Sequence, residues 1–140
     1  MPDHGPHAEP YPRFSASEMD RRRRALHEIM AAHGATHAVL CGANRNGSGV
    51  QWLTGWPVTR EAMVLVEPGE RDVLLVQFYN HVPAATRIAM SAEVRWGGPS
   101  TSETMASLLR ARSARRVATL GPVGVGWHEE LSSAAELVAV

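Results

Sequence analysis

The sequence predicts an α/β domain whose mixed sheet opens with an antiparallel hairpin and closes with βα units, helices lying on both faces. Three observations carry that expectation. Two apolar runs, residues 61–66 and 72–78, flank Glu67-Pro68-Gly69-Glu70-Arg71, a hairpin-length turn with Pro and Gly where turns favour them. Beyond residue 94, strand-length apolar runs alternate with helix-length stretches, the rhythm of helices packed on a sheet. Ser15–Glu18 and Ser100–Glu103 both have capping-box spacing, each just ahead of an apolar helical period.

Residues 1–14 read as a flexible arm, because Pro2, Pro6, Pro10 and Pro12 forbid helix and offer no face to bury. The ordered domain is expected over 15–140. Its first helix starts with Ser15 as N-cap and Glu18 reaching back. Met19, Leu26, Ile29, Met30 and His33 form its apolar stripe, and Gly34 ends it. The Arg21–Arg24 run reads mostly as solvated surface. A buried strand follows at His37–Cys41, then a Gly/Asn loop from Gly42 to Gly49 and a short apolar-aromatic segment from Val50 to Trp56. After the hairpin, Asn80 is placed to cap a short helix over 81–90, with Pro83 tolerated in its first turn. Val94–Trp96 is a short strand, and Met105, Leu108 and Leu109 face inward on the helix opened at Ser100. Arg116–Leu120 is a strand closed by Gly121-Pro122; a helix over 127–135 and a strand from Leu137 to Val140 complete the pattern.

Composition narrows the function. The 140 residues are 44% hydrophobic and 20% charged, enough apolar material for one real core. Fourteen basic and 14 acidic residues cancel, and every basic residue is Arg. A neutral domain gains little from counterion release, which argues against a nucleic-acid partner. Cys41 is the one cysteine, so neither an internal disulfide nor a cysteine metal cluster can form. No run approaches the roughly 20 apolar residues of a membrane span, and the proline-rich start is no signal peptide. A cytoplasmic location without a membrane partner is expected.

The sites that could carry chemistry are few. Gly42-Ala-Asn-Arg-Asn-Gly47-Ser48 has P-loop glycine spacing, but Ser48 stands where the phosphate-binding Lys should be. Gly47-Ser-Gly49 starts like a dinucleotide fingerprint and then places Trp52 at the last glycine. Gly121, Gly124 and Gly126 precede a helix in the wrong order. A two-metal hydrolase needs bridging carboxylates on rigid elements. The three aspartates are Asp3 in the arm, Asp20 on an exposed turn and Asp72 at a hairpin end. No catalytic or metal residue is therefore assigned, and no cofactor is expected in this chain. The cluster of interest flanks the hairpin: Trp56, Arg60 and Glu61 before one strand, and Gln77, Tyr79, Asn80 and His81 after the other. Antiparallel pairing brings these outer ends together. Trp56, Arg60, Tyr79, Asn80 and His81 are the expected substrate rim.

An ordered set of segments resembles the N-terminal domains of the creatinase, prolidase and aminopeptidase P family. It comprises Ser17-Glu18-Met19 with Arg22-Arg23, the strand His37-Ala-Val-Leu-Cys-Gly42, Val50-Gln-Trp-Leu-Thr-Gly55, the turn at Glu67-Pro-Gly69, and Arg116-Val-Ala-Thr-Leu-Gly121. Trp52 replaces the commoner Tyr of the third segment. The resemblance implies a ribonuclease H-like sheet. It also implies a C-terminal pita-bread catalytic domain, absent from this chain, that holds two Mn, Co or Zn ions in peptidase members and none in creatinase-type members. It further implies homodimers in which this domain gates substrate near the partner's active site. A stand-alone small-molecule or protein-binding domain is the alternative. An independent nuclease is disfavoured by the scattered carboxylates.

Overall fold

The computed structural model describes residues 13–44, 48–58, 60–121 and 123–140. Most of the expected arm, the centre of the Gly/Asn loop and Pro122 therefore lie outside the described residues. Six strands form one mixed sheet in the order β4-β3-β2-β1-β5-β6. These are β1 (His37–Ala43), β2 (Glu61–Val66), β3 (Asp72–Val76), β4 (Ala92–Trp96), β5 (Arg116–Leu120) and β6 (Glu136–Ala139). Pairs β1–β2 and β2–β3 are antiparallel, while β3–β4, β1–β5 and β5–β6 are parallel. The hairpin and the late βα units stand as expected, and β1 runs two residues longer.

Strand β1 lies between two partners with both faces covered, which is why it is a continuous apolar run rather than an alternation. Alternation nevertheless divides the core. Ala38, Leu40, Ala62, Val64, Val66, Leu74 and Val76 face α1 (Ala16–Ala32), α2 (Ser48–Thr54) and α3 (Val82–Ile88). Val39, Cys41, Met63, Leu65, Val73 and Leu75 face α4 (Thr101–Ala111) and α5 (Val125–Ser132). Burial pushes the Cys41 thiol up to about 12, so it packs as a small apolar group.

Helix α1 departs from its expected details in three ways. Ser15 Oγ does accept from the Glu18 N–H, at 3.2 Å. The Glu18 carboxylate does not turn back, however, because Arg21 (2.7 Å) and Arg22 (3.0 Å) hold it. Those guanidinium groups lower its pKa to about 2. The buried stripe is Arg22, Leu26 and Met30, four residues apart, whereas Ile29 and His33 are exposed. The Arg run is also more than solvated surface. Arg22 is buried, donates to the Trp52 carbonyl at 2.6 Å and stacks 4.0 Å from the Phe14 ring centroid. Arg23 Nη1 reaches both carboxylate oxygens of Asp72, at 2.7 and 2.6 Å. Two long side chains thus fasten α1 to α2 and to the start of β3.

The segment from Val50 forms helix α2, with Val50 and Leu53 fully buried and Gly55 turning the chain at φ +84°. Asn80 does not cap α3. It lies inside a 3-10 turn over Tyr79–His81 that leads directly into the helix, and no side chain caps that start. Pro83 does sit in the first turn of α3. Ser100 caps α4 through the Glu103 N–H, and Met105 and Leu109 are buried.

Candidate functional site: an aromatic rim at one end of the sheet

The antiparallel pairing of β2 and β3 sets Ala62 against Val76, so residues before β2 and after β3 meet at one sheet end. There Gln77 Oε1 accepts the Glu61 N–H at 3.1 Å, and the Gln77 N–H donates to the Glu61 carbonyl at 3.3 Å. These bonds extend the ladder past the strands and fix where the chain enters the 3-10 turn. The turn then presents Phe78, Tyr79 and His81. Phe78 meets His81 edge-on at 5.2 Å between centroids, and Trp56 lies 5.7 Å from His81 at a tilt of 59°. Edge-on and tilted contacts at these separations are the favourable ones for aromatic rings.

Of the five expected rim residues, the structure brings Trp56 and His81 into contact. Tyr79 and Asn80 stand on the same turn, both exposed. Arg60 is exposed at the start of β2, where its carbonyl accepts the Asn44 N–H at 2.6 Å. Trp56 is a floor rather than an edge, because it is buried within the α1–α3 core. Two rings join the site from outside that set. Phe78 is partly exposed, and Trp96 at the end of β4 stacks edge-on against Tyr79 at 5.9 Å. The Trp96 indole N–H donates to the Gln77 carbonyl at 3.0 Å, holding the ring over the turn. Trp96 reaches this place because β4 runs parallel to β3 with Trp96 beside Val76. Phe78 could be found from the sequence, as the last residue of the apolar run before Tyr79. The placement of Trp96 depends on a strand pairing that residue pattern alone does not give.

The surface is aromatic and hydrogen-bonding. Tyr79 is 74% exposed and Trp96 44%, so a flat apolar group could lie against them with Asn80 and His81 alongside. Among the described residues, no group of three or more His, Cys, Asp and Glu side chains is placed to hold a metal ion. Asp72, the buried carboxylate, lies at the opposite end of β3 from the rim and is engaged by Arg23. Burial pushes its carboxyl up, against the pull of that guanidinium. Among the described residues, no helix is long and apolar enough to cross a membrane.

No known family profile matches the chain, and no curated protein matches it by sequence. Solved structures do. The N-terminal domain of the cytoplasmic peptidase PepQ from Mycobacterium tuberculosis superposes with a TM-score of 0.70 at 21% identity, covering 86% of this chain and 92% of that one. The creatinase/prolidase N-terminal domain of an X-Pro dipeptidase from Streptococcus pyogenes gives 0.65 at 19% identity, covering 90% and 95%. The chain has the fold of a creatinase/prolidase N-terminal domain. Against a longer enzyme, the Xaa-Pro dipeptidase from Bacillus anthracis, the TM-score is 0.66 at 15% identity, and the match covers 89% of this chain but 33% of that one. In this fold the rim lies at the end of the hairpin strands opposite the Glu67–Arg71 turn.

Proposed function

We propose that this chain is the non-catalytic N-terminal domain of an Xaa-Pro dipeptidase, Xaa-Pro aminopeptidase or creatinase-like hydrolase, and that it gates substrate and supports a homodimer. The observation that carries the reading is the extent of the structural match. It takes in nearly all of solved N-terminal domains and a third of a longer dipeptidase. The partner is then a C-terminal pita-bread domain, with any divalent metals held there. The rim of Tyr79, Asn80, His81 and Trp96, floored by Trp56, supplies a flat apolar face and polar edges suited to a proline ring and its flanking amide. Positioning alone lowers barriers by several kcal/mol when it holds a reactant in a near-attack pose, so a domain without catalytic groups can still set specificity.

The test is to read the coding sequence after the Val140 codon and to assay the chain. A pita-bread coding region is expected there or in a neighbouring gene. The 140-residue chain with added Mn is expected to hydrolyse no Xaa-Pro dipeptide. A stop codon with no such gene nearby would overturn the reading. Calorimetric titration with Xaa-Pro dipeptides separates the alternative, since tight binding by this chain alone marks a stand-alone binding domain.

A further inference from the structure

The loop from β4 to α4, Gly97-Gly98-Pro99-Ser100, closes over a hydroxyl that has nothing to bond. Thr101 is 2% exposed, and its Oγ1 finds no hydrogen-bond partner among the described residues. Among those residues, no other buried side-chain nitrogen or oxygen is left in this state. A buried hydroxyl without a partner keeps its full desolvation cost, so its persistence calls for a reason. Gly97 is what stands between this hydroxyl and an acceptor. A Cβ added at Gly97 would lie 2.8 Å from Thr101 Oγ1 and 3.2 Å from the Val76 carbonyl oxygen, so both oxygens border one spot against the Gly97 backbone. The Val76 carbonyl is taken by the Gly97 N–H at 2.7 Å, the last rung between β3 and β4. Past that rung, Thr104 Oγ1 donates to the Gly97 carbonyl at 2.6 Å, and Gly98 turns the chain at φ +73°, a conformation glycine adopts freely.

We infer that this loop is a two-position latch. In the closed position the Gly97 N–H holds the Val76 carbonyl and Thr101 goes without. In the open position Gly97 swings out on Gly98, and the Thr101 hydroxyl donates to the Val76 carbonyl in its place. One hydrogen bond replaces another and the unbonded hydroxyl is relieved, so the two positions lie close in free energy. Trp96 precedes Gly97 directly and moves with it. On opening, its indole leaves the Gln77 carbonyl, now 3.0 Å away, and its ring leaves Tyr79. Closed, the rim offers a corner of two perpendicular rings; open, it offers the uncovered ring of Tyr79. The latch therefore controls which surface the rim presents. That gating role rests on the rim reading proposed above, whereas the two positions rest on Thr101, Val76 and Gly97 alone.

The test is NMR relaxation dispersion on the 140-residue chain, read at the Gly97 and Gly98 amides and the Trp96 indole N–H, with melting curves to confirm folding. In the wild type all three are expected to exchange at one shared rate. Thr101→Val keeps the shape but removes the hydroxyl. It relieves the closed position and deprives the open one of its bond, so the open population is expected to fall by about tenfold or more, with no loss of melting temperature. Thr101→Ser keeps a hydroxyl and is expected to retain the exchange. Gly97→Ala crowds the closed position and is expected to move the Trp96 indole resonance toward that of the minor state. A wild type without shared exchange overturns the inference. So does exchange unchanged by Thr101→Val, or a Gly97→Ala shift away from the minor state. Each of those results leaves the hydrolase reading standing, since that reading is decided by the coding sequence and the dipeptide assay.

Discussion

Arg23→Ala strands a charge. Asp72 is 1% exposed at the first position of β3, and the Arg23 guanidinium is the ion-pair partner found for it among the described residues. Removing one member of a buried pair costs roughly 3–5 kcal/mol, because the other remains desolvated. Arg23 is itself 26% exposed, so water can enter its place and the low end applies, about 3 kcal/mol. For a domain of this size that loss lowers the melting temperature by about 10 °C. The pH dependence has a definite sign. Burial already raises the Asp72 carboxyl above its ordinary 3.8 against the pull of Arg23, and without Arg23 it rises further. A carboxyl whose folded pKa exceeds its unfolded value binds more protons when folded, so its contribution to stability grows as pH falls through the folded value toward 3.8. The deficit of Arg23→Ala is therefore largest at neutral pH and shrinks in acid. Urea unfolding across pH reads it directly, and adding Asp72→Asn should recover part of the loss at neutral pH. A deficit independent of pH, or one below about 1 kcal/mol, would refute the argument.

Three further outcomes follow from the same structure. Glu18 titrates near 2 instead of 4.5, so its stabilising contribution holds above 4.5 and is lost as pH falls from there toward 2; carboxyl NMR titration checks it. Cys41, fully buried with its thiol pushed up to about 12, should resist alkylation in the native protein and react at once in denaturant. Gly121→Ala should destabilise by about 2 kcal/mol or more, because an added Cβ at φ +91° would stand 2.8 Å from the Cys41 carbonyl oxygen; thermal melts measure it.

The parts of the fold legible in the sequence are those set by local chemistry. Ser15 and Ser100 cap their helices because a hydroxyl three residues before an N–H is a local geometry. The Pro68-Gly69 turn fixed the hairpin, and with it the meeting of Trp56 with His81. What escaped depends on partners far along the chain. Arg22 and Arg23 read as solvent-facing until Trp52 and Asp72, 30 and 49 residues away, are placed against them. Val50–Thr54 is too short and too apolar to separate helix from strand by periodicity. Asn80 looked like a cap, but Gln77 and the 3-10 turn had already set the path into α3. Trp96 enters the rim through a parallel register with β3, a pairing that no local residue pattern signals.

The strand order also divides the molecule by chain history. From β1 to β4 the strands are laid side by side in sequence, so residues 37–96 can zip together through short-range closures. Strand β5 instead belongs beyond β1, at the other flank, and α4 must first carry the chain back across β3 and β2. Closing a longer loop is slower and entropically dearer. Strands β5 and β6 therefore join the sheet through α4 and a parallel seam with β1, across a longer closure than those that bring β1 to β4 together.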